Sequence, residues 1–64
     1  MNELMIIFTS GDYIYFKTDQ KTADKAFDEF LEVCENANIN IDNMNFAKCE
    51  LRNKEQETID IFNI

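Results

Sequence analysis

Hydrophobic residues recur along this chain with two different periods. Leu4-Met5-Ile6-Ile7-Phe8 is an unbroken apolar run of β-forming residues and predicts a strand covered on both faces, or nearly so. Ser10-Gly11 follows as a two-residue hairpin turn in which the glycine takes φ > 0. Tyr13 to Lys17 then reads as a second strand, with Ile14 and Phe16 facing one way and Tyr13, Tyr15 and Lys17 the other. Beyond Thr22 the period lengthens. Ala23, Ala26, Phe27, Phe30, Leu31, Cys34 and Ala37 fall three or four apart, which is the apolar stripe of an amphipathic helix. Asp19 or Thr22 supplies the N-cap, and the Asn36–Asn38 region ends the helix because asparagine tolerates the left-handed cap conformation.

After the helix, Ile39 and Ile41 alternate with Asn40 and Asp42 in a connection expected to tuck its apolar side chains under the sheet or helix. Ala47, Cys49 and Leu51 alternate with Lys48, Glu50 and Arg52 in a half-buried strand. Asn53 to Gln56 is a polar turn, and Thr58 to Phe62 is a fourth strand with Ile59 and Ile61 opposite Asp60 and Phe62. The order ββαββ predicts one α+β domain spanning 1–64. A right-handed crossover through the helix places the third strand beside the first. The expected product is a four-stranded antiparallel sheet of order 2-1-3-4 with one helix on one face; the alternative puts the fourth strand inside.

One helix covers one sheet face. Leu4, Ile6, Phe8, Ile14, Phe16, Ala47, Cys49 and Leu51, with Ile59 and Ile61, are assigned to the covered side. Met5, Ile7, Tyr13, Tyr15 and Phe62 are then left on the other. Large contiguous apolar patches mark interaction sites, and tyrosine is enriched in interfaces. These five residues are the expected contact of a homodimer or of a partner; the alternative is that the long connection after the helix folds over part of this face. Size points to the contact: a domain this short buries only about 60% of its unfolded surface. The usual staples of small scaffolds are scarce, because the chain has no histidine and only two cysteines, Cys34 and Cys49.

Thirteen acids against six bases give a net charge of −7. That balance argues against direct binding to nucleic acid or to an anionic membrane, both of which call for a basic patch. The apolar run at the start, five residues long, is short of a signal-peptide core and far short of a membrane span, so a cytoplasmic protein with reduced thiols is expected. Asparagine, isoleucine, lysine, phenylalanine and tyrosine, all with AT-rich codons, point to a low-GC bacterium or one of its phages.

Chemistry finds little support. A nucleophilic cysteine needs a neighbouring base, and Cys34 and Cys49 lie on apolar faces with no histidine anywhere. No calcium-loop spacing and no glycine-rich phosphate loop is present. Catalytic residues, metal ligands and cofactors are therefore not assigned. The helix is the conspicuous feature: Asp24, Asp28, Glu29, Glu32 and Glu35 crowd one short segment. Asp24 to Glu35 rises about 16 Å, so its four-acid edge carries about one charge per 5 Å, against one per about 3.4 Å on a duplex strand. The stripe alone is too sparse to copy a nucleic-acid backbone and needs other acids beside it.

The expectation is a non-enzymatic small acidic binding protein that occupies a basic, nucleic-acid-binding surface on a partner protein. Its anchors are Asp24, Asp28, Glu29, Glu32 and Glu35, with Tyr13 and Tyr15 as apolar contacts. Size, charge and codon bias suggest a phage or mobile-element inhibitor of the nucleic-acid-mimic, anti-nuclease or anti-CRISPR type. The competing expectation is a homo-oligomeric module built on the uncovered sheet face.

Overall fold

In a computed structural model that describes all 64 residues, the chain forms β1 (Asn2–Phe8), β2 (Tyr13–Thr18), α1 (Ala23–Asn36), β3 (Phe46–Arg52) and β4 (Thr58–Asn63). The strands make one antiparallel sheet in the order β2-β1-β3-β4. This is the ββαββ, α+β topology that the crossover rule predicts, with the most apolar strand inside.

Both hairpins use three-residue loops, and at the first this replaces the expected two-residue Ser10-Gly11 turn. Phe8 N–H donates to the Asp12 carbonyl at 2.8 Å, and Gly11 N–H to the Phe8 carbonyl at 2.9 Å. Gly11 sits at φ +94°, the left-handed position of a type I turn closed by a bulge. The β3–β4 hairpin repeats the pattern with Asn53, Glu57 and Gln56 in the corresponding roles, and Gln56 has φ +65°. There the Asn53 side-chain oxygen accepts from the N–H groups of Glu55 and Glu57, both at 3.0 Å.

The apolar stripe on α1 packs against β3, β4 and β1. Its C-terminus is a Schellman cap: Asn38 takes φ +59°, its N–H donates to the Glu35 carbonyl, and Ile39 N–H donates to the Cys34 carbonyl. The N-terminus departs from expectation. Thr22 has the extended backbone of an N-cap, but its side chain makes no cap hydrogen bond. Asp60 on β4 does the work instead, accepting from Ala23 N–H at 2.6 Å.

Leu4, Ile6, Ala23, Ala26, Cys49 and Leu51 are fully buried, with Phe27, Phe30 and Cys34 nearly so. Phe46, missed by the alternation that begins at Ala47, joins this core. Its ring lies 5.0 Å from Phe27, 5.4 Å from Phe8 and 6.2 Å from Phe30. An extra residue in β3 makes this fit, because Ile7 pairs with Lys48 while Phe8 pairs with Phe46.

Strand β4 reverses the expected facing. Phe62 pairs with Cys49 and lies 6.1 Å from Phe27, on the helix side. Ile61 pairs with Glu50 on the opposite face, and Ile59 is the extra residue of a second bulge; both are exposed. Phe62 is therefore not part of the open face, and Ile59 and Ile61 are not part of the core.

Candidate functional site

The helix presents its acids outward. Asp24, Asp28, Glu32 and Glu35 are all exposed along its outer side. No lysine or arginine pairs with them, because the ion pairs of this protein both belong to Glu50, with Lys48 at 3.1 Å and Arg52 at 3.4 Å. The Asp24 carboxyl is held below the usual carboxylate range, first by the nearby Thr22 hydroxyl, which has no well-formed hydrogen bond, and then by the Lys25 N–H. No basic residue stands in the last turn to compensate Glu32 and Glu35 at the negative end of the helix dipole.

Glu29 differs from the other four. It is half-buried on the side of the helix nearest β2, where it accepts the Thr18 hydroxyl at 2.5 Å. Thr18 is itself buried, and its oxygen accepts from Gln20 N–H at 3.1 Å. Glu29 is thereby a clasp between helix and sheet, and the outward set is four acids.

Tyr13 and Tyr15 lie on the sheet face opposite the helix, their rings 5.5 Å apart and edge to face. They cannot share one footprint with the helix acids. A nearer apolar neighbour exists that the sequence did not signal: Leu31, Ile39 and Ile41 line a groove at the helix C-terminal end, flanked by Glu35 and Asp42. Ile39 is exposed there, and Ile41 packs partly into the core. The acidic stripe thus runs from Asp24 through Glu35 to Asp42, with an apolar notch beside its far end.

The open sheet face is mixed rather than oily. Its third strand carries Lys48, Glu50 and Arg52 in a row, and Thr58 adds a hydrogen bond to Glu50 at 3.4 Å. The Glu50 carboxyl is held below its usual range by Lys48 chiefly, against the effect of burial, with Arg52 adding to the pull. Met5 and Ile7 are half-buried, paired with Tyr15 and Tyr13 on β2 and with Glu50 and Lys48 on β3. The apolar part of this face is therefore confined to the β1–β2 side, and Ile61 stands apart beyond the charged row.

Cys34 and Cys49 are buried free thiols. Burial pushes the Cys49 thiol up to about 11. At pH 8 such a thiol is about 0.1% thiolate, against about a quarter for an ordinary one. A thiol reagent should therefore leave Cys49 untouched in the native protein and label it within the mixing time in urea. Rapid stoichiometric labelling of native Cys49 would contradict the packing described.

No helix is long and apolar enough to cross a membrane. Comparison with protein-family models, with curated proteins and with solved structures found no match to this chain.

Proposed function

We propose that this chain is a non-enzymatic binding protein that docks the outer side of α1 onto a basic, nucleic-acid-binding surface of a partner protein in the cytoplasm. One observation carries this: Asp24, Asp28, Glu32 and Glu35 stand exposed and unpaired on one helix, in a protein where only Glu50 of the thirteen acids is in an ion pair. Acids placed at the negative end of the dipole lower the stability of the free protein by a few tenths of a kcal/mol each. Positioned there, they favour an external cation. The groove of Leu31, Ile39 and Ile41 offers apolar contact on the same side, next to Glu35 and Asp42. By blocking a surface meant for nucleic acid, the protein acts as an inhibitor of the phage or mobile-element kind.

The test is capture of nucleic-acid-binding proteins on the immobilised chain, from cells of a low-GC bacterium. Retention should fall steeply with added salt and be lost to competing duplex DNA or RNA. Asp28→Lys with Glu32→Lys should abolish retention while leaving the fold intact or slightly more stable, since the change relieves repulsion and suits the dipole. Retention that survives the double charge reversal, or that ignores salt, would remove the proposal.

A further inference from the structure

Strand β2 is an edge with a single protecting charge. Its pairing with β1 runs Asn2↔Thr18, Leu4↔Phe16 and Ile6↔Ile14, and continues to the Phe8–Asp12 hydrogen bond. Hydrogen-bonded and non-bonded pairs alternate in an antiparallel ladder. The even residues therefore bond inward to β1. Tyr13, Tyr15 and Lys17 turn their backbone N–H and C=O groups to the open edge. Natural sheets blunt such edges with bulges and charges. The other edge, β4, has the Ile59 bulge. Strand β2 has no bulge and carries Lys17 alone among charged residues.

Both sides of this edge are apolar. Tyr13 is 57% exposed and Tyr15 49% on the open face, and Ile14 is 37% exposed on the helix side. The helix leans toward β3 and β4 and meets β2 through Phe30 with Phe16 and Glu29 with Thr18. One turn on from Glu29, Val33 is 48% exposed above the same margin.

We propose that two copies of this chain join through their β2 edges into one continuous antiparallel sheet, about a twofold axis at Tyr15. The register follows from the backbone. Only one alignment brings all three outward residues of each strand into hydrogen-bonded pairs, and it sets Tyr15 opposite Tyr15 and Tyr13 opposite Lys17 of the second copy. The same alignment places Ile14 opposite Phe16 on the helix side, an apolar pair. On the open side it lays the Lys17 ammonium beside the second copy's Tyr13 ring, a cation–π contact. The stretch from Tyr13 to Thr18 carries one positive charge and no acid, in a chain of net charge −7. It is the margin along which two such anions approach with least repulsion. This pairing is independent of the helix acids, which face the other way.

Light scattering on the eluting protein over a concentration series should give twice the 7.6 kDa chain mass. Added salt should preserve or strengthen the dimer, because it screens repulsion between the copies. Tyr15→Pro removes the outward N–H together with the ring, costs no inward ladder bond, and should yield a folded monomer. A synthetic chain N-methylated at Tyr15 makes the same cut while keeping the side chain, and decides the matter if the proline variant misfolds. Hydrogen exchange should show the Tyr13, Tyr15 and Lys17 amides protected in the dimer and lost to exchange on dilution. A monomer at every concentration overturns the pairing and leaves the edge to a strand of some other protein. A dimer that survives N-methylation, or one in which those three amides exchange freely, overturns it as well.

Discussion

Replacing Phe27 by alanine is expected to leave most molecules unfolded at 25 °C. Phe27 is the hub of the core: its ring meets Phe46 at 5.0 Å, Phe62 at 6.1 Å and Phe30 at 6.2 Å, joining the helix to β3 and β4. Truncating a buried phenylalanine costs about 3–5 kcal/mol. A chain of this length has a total stability of about 3–10 kcal/mol. Only ten residues are buried, so little else remains to close over the cavity. Urea denaturation followed by circular dichroism reads the effect, with the midpoint of Phe27→Ala driven to or near zero denaturant. Phe27→Leu keeps most of the volume and should retain a cooperative transition. Phe8→Ala, at the half-exposed margin of the cluster, should cost clearly less. An unshifted midpoint for Phe27→Ala would mean that the helix does not pack through this ring.

The stripe that predicts the helix places Ala23, Ala26, Phe27, Phe30 and Cys34 on its inner side, and all five are buried. Periodicity reports helix faces faithfully here because α1 is long, regular and uninterrupted. The strand order is legible for a related reason, since Leu4 to Phe8 is too apolar to stand at an edge. The failures gather at the bulges. Alternation assumes that every residue advances the pleat by one step, and a single extra residue flips everything beyond it. Near Ala47 this brings Phe46 into the core, and at Ile59 it resets the far strand.

The acids of the helix were legible as a group because all five fall on its polar side. That Glu29 is clasped by Thr18 was not, since the contact joins residues from two elements and depends on how far the helix overhangs β2. The same placement of the helix leaves the helix side of β2 partly bare, which alternation alone does not report. The charged row on β3 breaks the open face, and the apolar surface migrates to the uncovered strand. An amphipathic pattern tells which way a side chain points, but not whether a neighbouring layer extends far enough to cover it.

Asp60→Ala should lower stability by about 1–2 kcal/mol, far more than the same change at Asp19, the acid that local spacing nominates as the cap. Asp60 accepts from Ala23 N–H at 2.6 Å, a charge-assisted contact at the positive end of the helix dipole. It reaches there because Asp60 sits opposite Leu51 on the helix side of the sheet. Hydrophobicity alone would turn Ile59 and Ile61 inward and Asp60 out. Two contacts oppose that choice: the cap made by Asp60, and Phe62 against Phe27. Both demand the same facing, so the bulge at Ile59 and the helix cap are one device. Removing the carboxylate therefore loses a cap and weakens the reason for the register of β4. For a domain this small the expected fall in Tm is about 5–15 °C. Asp60→Asn, which keeps an acceptor oxygen but no charge, should lose only part of that. Thermal unfolding of the three variants checks the order, and Asp19→Ala matching Asp60→Ala would show that the helix is capped from its own flank after all.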